Sequence, residues 1–382
     1  MRIAIDLTAT PKNKTGIGRY MLGLLAGLQK VDAENEYYLF LHDDDRDGFF
    51  LENPRFHPVP VHSKLLRNVG VRILWEQFVL PFRLRKNKID VLQCPNFTAP
   101  YLARIFNPRI KIIGTFHDMS YFFLPQFHVG WKREMFKLYI RLTARFADKI
   151  LTISENSKRD IPQYCKPKNP DVAVTLLGVD QRFFNAPAPS AQILEKYGMP
   201  ANYIMYVGTL EPRKNIPGLI TAYRLLPENI KSRYPLVICG KKGWYYEEIY
   251  ASLDKWPELR DQVVFAGYID DADLPSLLKG AAVFAYVSFY EGFGIPVIEG
   301  LASGTITVTS YGSSMEEIGK DVAILTSPNE PETIAEALEW VLAENPDTEK
   351  DKRERIETGI KHAAEFTWER CAKETLAAYK GE

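Results

Sequence analysis

Short runs of β-branched and aliphatic residues recur along the chain, separated by amphipathic stretches. The runs at 2–6, 37–42, 89–92, 111–115 and 149–153 read as strands, and so do those at 172–176, 203–207, 235–239, 263–266, 282–286, 306–309 and 322–325. Between many of them the apolar positions take helical spacing, as at 18–29, 132–147, 215–226 and 331–344. Buried runs alternating with helices predict parallel sheets of the α/β class. About twelve strands are too many for one comfortable open sheet. A break is signalled at 178–190, where Pro187 and Pro189 stand among small residues and disfavour regular structure. Two α/β domains, 1–185 and 186–365, are the economical arrangement. Two such sheets predict a shared cleft at their strand C-termini, lined by the loops that follow the strands.

Composition narrows the class. Of 382 residues, 46% are AVILMFWYC and 25% are charged, which supports sizeable cores and excludes a disordered or fibrous chain. No apolar run is long enough to span a bilayer, and the Met1–Asp6 start turns polar too early for a signal peptide. Cys94, Cys165, Cys239 and Cys371 are too dispersed for a disulfide framework or a zinc site. A reduced, cytoplasmic protein is expected. Net charge is zero, yet residues 1–185 hold 28 Lys+Arg against 18 Asp+Glu, and residues 64–149 hold 16 against 5. The first half is therefore expected to meet something anionic. Arg133, Lys137, Arg141 and Arg145 recur every four residues in a helical stretch, interleaved with Trp131, Phe136, Leu138 and Phe146. Two readings follow: a basic surface for an anionic membrane, or the solvated face of an ordinary core helix. No DNA- or RNA-binding motif is present, so nucleic acid is not an expected partner.

The unusual sequences lie after predicted strands. Thr15-Gly16-Ile17-Gly18-Arg19-Tyr20 opens a helix. Its glycines allow close backbone approach to an anion, or simply a tight turn. Gly16, Gly18 and Gly23 have the wrong spacing for a dinucleotide fingerprint. In Gly114-Thr115-Phe116-His117-Asp118 a histidine stands at a strand end beside an aspartate suited to orient it. In Gly208-Thr209-Leu210-Glu211-Pro212-Arg213-Lys214-Asn215, adjacent Arg and Lys before a helix suit a diphosphate: Arg offers a planar donor fork and Lys a point charge. In Tyr290-Glu291-Gly292-Phe293-Gly294-Ile295-Pro296-Val297-Ile298-Glu299, Glu291 stays on the loop while Glu299 enters the helix. The two carboxylates thus address different parts of one ligand, and carboxylates suit paired sugar hydroxyls. Tyr311-Gly312-Ser313-Ser314-Met315-Glu316-Glu317 offers backbone N–H groups before another helix, or an N-cap turn.

With these motifs together, the sequence resembles the retaining GT-B glycosyltransferases of family 4, which include sucrose-phosphate synthases and bacterial polysaccharide mannosyl- and glucosyltransferases. The Glu-x7-Glu signature is Glu291 through Glu299, and the Gly208–Asn215 stretch matches the second strong motif. The resemblance covers nearly the whole chain. It implies two Rossmann-like, doubly wound domains facing a central cleft, the first for the acceptor and the second for the donor. The last helix, about 366–382 and opening at Trp368, would pack back on the first domain. Arg213 and Lys214 would hold the donor diphosphate, Glu299 the ribose, and Glu291 the transferred hexose. His117 would lie by the reaction centre. Gly16, Gly18, Ser313 and Ser314 would line the phosphates, and Lys241, Gly243, Tyr268 and Ile269 would approach the nucleobase. The family's Pro before the last Glu is replaced by Glu316, which is expected to point to solvent.

The implied reaction moves glucose or mannose from a UDP- or GDP-hexose to a hydroxyl of a saccharide or lipid-linked acceptor, with retention and without a metal or other cofactor. Three alternatives stand. A metal-dependent GT-A enzyme would need an Asp-x-Asp motif, present formally in Asp43-Asp44-Asp45-Arg46-Asp47 and Asp271-Ala272-Asp273. An epimerase or phosphorylase of the same fold would dispense with the acceptor or use free phosphate. A non-catalytic sugar-nucleotide-binding protein would not need the full set of polar residues.

Overall fold

A computed structural model of the protein describes every residue except Pro11, Asn13, Lys14, Thr15, Ser63, Val129 and Glu382, with Arg46 and Asp47 described by backbone alone. Thr15, which opens the first glycine loop, thus lies outside the described residues. The chain forms two compact units, Met1–Gly178 joined by Thr367–Glu382, and Val179–Phe366.

The first unit holds a seven-stranded sheet: β1 (Arg2–Asp6), β2 (Glu36–His42), β3 (Phe56–Val61), β4 (Val91–Cys94), β5 (Lys111–Phe116), β6 (Lys149–Thr152) and β7 (Val172–Val174). The strands lie side by side as β3-β2-β1-β4-β5-β6-β7, all parallel. The second unit holds β8 (Ile204–Val207), β9 (Leu236–Cys239), β10 (Val263–Gly267), β11 (Val283–Tyr286), β12 (Thr307–Ser310) and β13 (Ile324–Thr326). Their order is β10-β9-β8-β11-β12-β13, again all parallel. Both sheets are doubly wound. The order reverses between β1 and β4 in one and between β8 and β11 in the other. Such switch points leave a crevice beyond the strand C-termini where ligands bind.

The strands are apolar because helices cover both faces. Ile3, Ala4 and Ile5 are all fully buried in β1, as are Val237 and Cys239 in β9 and Phe284 and Ala285 in β11. Each large aliphatic or aromatic side chain buried this way contributes about 1.5–3 kcal/mol. The hydrophobic pattern missed β3, whose sequence Phe-His-Pro-Val-Pro-Val carries two prolines. It forms because β3 is an edge strand that pairs with β2 alone, where a missing N–H goes unpunished. β4 begins later than the run at 89–92 suggests, because the Ile89 N–H closes the preceding helix onto the Leu84 carbonyl at 3.1 Å.

The Trp368–Lys380 helix belongs to the first unit. Thr367 caps it by accepting from the Arg370 N–H at 3.2 Å, and Lys30 pairs with Glu369 at 2.6 Å. It lies on the Ile17–Val31 helix, where Gly23 and Gly27 make a notch one turn long. A Cβ on Gly23 would sit 2.0 Å from the Trp368 ring, and one on Gly27 would sit 2.2 Å from the Trp368 carbonyl oxygen. Gly23 therefore serves helix packing.

Candidate active site

In the second unit, the loops after β8 and β11 flank the switch point, and their polar side chains meet. Arg213 and Lys214 form a single 3-10 turn, Pro212–Lys214, closed by Asn215 in the left-handed conformation at φ 55°. The Asn215 amide donates to the carbonyls of Val287 at 3.1 Å and Pro328 at 2.7 Å. That pins the cationic turn to the loops after β11 and β13. Arg213 Nη1 donates to Glu291 Oε2 at 2.8 Å and to the Tyr290 carbonyl at 2.6 Å, and Nη2 donates to Glu211 Oε1 at 2.8 Å. Lys214 Nζ donates to Glu291 Oε1 at 2.6 Å and to the Tyr286 hydroxyl at 2.7 Å, and that hydroxyl donates to Glu291 Oε1 at 3.0 Å.

Two cations and two carboxylates thus share one buried knot. Burial alone would raise the Glu291 pKa, but Arg213 and Lys214 outweigh it and hold the carboxyl at about 2. Burial pulls Lys214 below the ordinary lysine value against the attraction of Glu291. Burial, then the Glu291 charge, pushes the Tyr286 phenol well up. At neutral pH Glu291 is a carboxylate and only accepts hydrogen bonds. Ser314 Oγ donates to the Glu291 carbonyl at 2.7 Å, fixing the loop from the next segment. Tyr206, Ser288 and Ser310 add buried hydroxyls with no hydrogen-bond partner among the described residues.

Glu299 is buried in the Ile295–Ala302 helix, which starts at Gly294 with φ 101°, a conformation that favours glycine. Ser313 caps the Ser314–Gly319 helix by accepting from the Met315 N–H at 3.4 Å. Glu316 is exposed, but it turns back to accept from the Gly312 N–H at 2.8 Å. The loops after β8, β9 and β10 are tied together. The Leu210 N–H donates to the Lys241 carbonyl at 2.8 Å, the Gly243 N–H to the Leu210 carbonyl at 3.0 Å, and the Gly240 N–H to the Gly267 carbonyl at 2.7 Å. Lys241 Nζ lies 4.8 Å from the Tyr268 ring centroid, and Ile269 is buried beside it in sequence.

In the first unit, Gly16 takes φ 52° at the N-cap of the Ile17–Val31 helix, and Gly18 is buried in its first turn. Tyr20, from the same turn, meets the His117 ring edge-on at 5.2 Å. The orienting group of His117 is not Asp118. Asp118 Oδ1 accepts from the Ser120 N–H at 3.0 Å and the Ser120 hydroxyl at 2.7 Å, as local turn chemistry favours. His117 Nε2 instead meets the Pro95 carbonyl at 2.8 Å. A carbonyl only accepts, so Nε2 carries the proton and Nδ1 holds the lone pair of the neutral ring. Burial pulls the His117 pKa below the ordinary value, which favours that neutral form.

Arg133, Lys137, Arg141 and Arg145 lie on the Gly130–Phe146 helix, where Arg141 and Arg145 are exposed and Arg133 and Lys137 are half-buried. Steps of four residues advance about 40° beyond a full turn, so the row drifts by about 120° from Arg133 to Arg145. Arg133 and Lys137 both turn to Glu134, at 2.7 and 3.4 Å, and the Lys137 side chain is only 18% exposed. Arg141 packs over the Phe122 ring at 5.0 Å.

Comparison with known proteins places this geometry. The model for "Glycosyltransferase Family 4" matches residues 14–183, and that for "Glycosyl transferases group 1" matches residues 192–362. The O-antigen chain mannosyltransferase B of Escherichia coli is 31% identical over 378 residues, covering 96% of each chain. The chain belongs to glycosyltransferase family 4. The O-antigen chain mannosyltransferase RfbU of Salmonella typhimurium is 24% identical, covering 87% of this chain and 89% of the relative. Among solved structures, sucrose-phosphate synthase from Thermosynechococcus elongatus superposes with a TM-score of 0.77 at 18% identity, covering 100% of this chain and 98% of that one. The lipopolysaccharide glycosyltransferase WaaG superposes with a TM-score of 0.73 at 15% identity, each chain covered in full. The fold is therefore GT-B, and the protein is a glycosyltransferase.

Within this glycosyltransferase the structure gathers Arg213, Lys214 and Glu291 into direct contact. Motif reading passed over their supports. Tyr286, Glu211 and Asn215 hold the knot in place, and Tyr286 was legible only as the last residue of an apolar strand. A hydroxyl at the C-terminal end of a buried strand beside a switch point was the available signal.

Proposed function

We propose that the protein is a retaining, metal-independent mannosyltransferase of polysaccharide synthesis, using GDP-mannose as donor and a saccharide carried on a lipid as acceptor. The observation that carries the reading is the Arg213–Lys214–Glu291 knot beyond β8 and β11. The mannosyl assignment is supported by two full-length relatives that are O-antigen chain mannosyltransferases. In this reading Arg213 and Lys214 take the charge that develops on the leaving diphosphate, the place where preorganised cations contribute most. Glu291, ionised and fixed, accepts hydrogen bonds from hydroxyls of the transferred sugar, and Glu299 does the same for the ribose. Gly16, Gly18, Ser313 and Ser314 contribute backbone groups to the phosphates. Lys241, Gly243, Tyr268 and Ile269 stand near the base. His117, neutral and held by Pro95, contributes Nδ1 at the reaction centre. The enzyme works as a peripheral protein on the cytoplasmic side of a membrane.

The test is transfer from GDP-mannose and from UDP-glucose to a lipid-linked saccharide in the presence of EDTA, with the product anomer read by NMR. Mannose transfer with retention is expected. Transfer from UDP-glucose alone, inversion, or loss of activity in EDTA would each overturn the corresponding part.

A further inference from the structure

One surface of the first unit has its polarity inverted. The helices Val69–Phe78 and Leu80–Lys86 run nearly end to end. Their inward side is filled by Ile73, Leu80 and Leu84. Their outward side ought to be polar, yet it carries Leu74 at 60% exposure, Phe78 at 59% and Phe82 at 54%, with Val71 one turn earlier. The spacing 71, 74, 78, 82 is that of one helical face. Leu65 at 71% exposure precedes this face in the chain. At the other end Phe82 packs against Phe106, ring centroids 4.3 Å apart and planes tilted by 44°, next in sequence to Ile105 at 70% exposure. Scattered exposed apolar residues need no explanation, but a contiguous row with a polar border marks an interaction surface.

The border is cationic. From Lys64 to Lys88 the sequence has seven basic residues and one acid. That acid, Glu76, is buried against Arg72. Beyond Phe82 the surface sinks into an open depression of about 550 Å³ lined by Arg85, Lys88 and Arg109, with Ile89, Phe106 and Asp90. Asp90 is already occupied, accepting from the Arg2 N–H at 2.8 Å. Exposed Phe and Leu, bordered by Arg and Lys with no free carboxylate on the segment, match a bilayer whose headgroups are anionic and whose acyl region is apolar. Long cationic side chains at such a border reach phosphates while their stems stay on apolar ground.

We propose that the protein docks on an anionic bilayer through the outward face of the Val69–Lys86 helices. The Phe and Leu side chains enter the acyl boundary, and Arg85, Lys88 and Arg109 engage headgroup phosphates at the depression. The surface is distinct from the Gly130–Phe146 helix, whose Arg133 and Lys137 are paired with Glu134. It deepens the peripheral-membrane part of the proposed function. Vesicle binding needs neither donor nor acceptor, so the two readings fail separately.

The test is co-sedimentation of the full chain with phosphatidylglycerol vesicles and with phosphatidylcholine vesicles. Binding to the anionic vesicles is expected, with little to neutral ones. The double variant F78E/F82E is expected to lose roughly tenfold in vesicle affinity per phenylalanine. R85E/K88E is expected to lose roughly fivefold per charge removed and to abolish the preference for anionic lipid. Both sites are exposed, so the variants should melt as the parent does. R133E/R141E/R145E is expected to bind nearly as the parent. Parental binding by F78E/F82E, or loss only in the Gly130–Phe146 variant, overturns the proposal. So does concentration-dependent dimerisation, seen by sedimentation velocity and lost in F78E/F82E, without vesicle binding, which would make the face a self-association surface.

Discussion

Beside the end of β1, one cation, Arg72, pairs with Glu76 and acts on a second buried carboxylate, Asp6. Beyond β8, two cations, Arg213 and Lys214, face two carboxylates, Glu211 and Glu291. All four carboxylates are buried. The outcome is nevertheless opposite. Burial pushes Glu76 up to about 7, because Arg72 is opposed by Asp6. Burial raises Asp6 as well, against its hydrogen bonds to Thr8 and the charges of Arg72 and His42. Glu291 is held at about 2 because both cations act on it together. Desolvation is common to the two clusters, and the count of partners decides its result. The first cluster favours protonated carboxyls, and the second keeps Glu291 ionised.

The sharpest way to break the second cluster is Glu291→Ala. It leaves Arg213 and Lys214 buried together without their shared carboxylate, at a cost of about 3–5 kcal/mol of stability. Unfolding of the second unit by denaturant checks this. An unchanged midpoint would mean that the knot opens to solvent. Next is Lys214→Ala, which should lose about 2–4 kcal/mol of transition-state stabilisation, read as kcat/KM with the fold intact by circular dichroism. Unchanged kinetics would remove Lys214 from the reaction.

The two clusters should also answer pH in opposite directions. Glu76 is raised above the ordinary glutamate value of 4.5, so its folded form prefers the proton. Its contribution is full below about pH 4.5 and is lost as pH rises to about 7. Glu291 is depressed, so its contribution is full above about pH 4.5 and is lost as pH falls towards 2. Glu76→Gln should flatten the loss on the alkaline side by about 1–3 kcal/mol and leave the acid limb alone. Hydrogen exchange followed unit by unit resolves the limbs even if the units unfold separately. The smallest effect belongs to Tyr286→Phe. Removing the hydroxyl between Lys214 and Glu291 should cost about 0.5–1.5 kcal/mol. A larger loss in kcat than in stability would identify Tyr286 as a positioning group for Lys214.

Much of this was legible along the chain. The strand runs and the motif residues are local signals, since a few consecutive residues decide whether a segment is buried or a turn is tight. Arg213, Lys214 and Glu291 stood out for that reason. Asp118 misled because proximity in sequence suggested an orienting role, while local turn geometry drew it to Ser120 and Pro95 took its place. For the row from Arg133 to Arg145 the sequence left two readings open, and the structure adds that Arg133 and Lys137 are paired with Glu134.

The alternation of apolar runs and amphipathic stretches determined the α/β class, the need for two sheets and the loops that carry chemistry, because each depends on neighbours within a few residues. Only the tertiary structure decided which charges meet. Lys214 and Glu291 are 77 residues apart and touch because β8 and β11 are adjacent at the switch point. Only the tertiary structure, likewise, decided that Ile73, Leu80 and Leu84 face the core while Leu74, Phe78 and Phe82 face outward. Both sets are apolar and helically spaced, and which of them is covered depends on where the sheet lies.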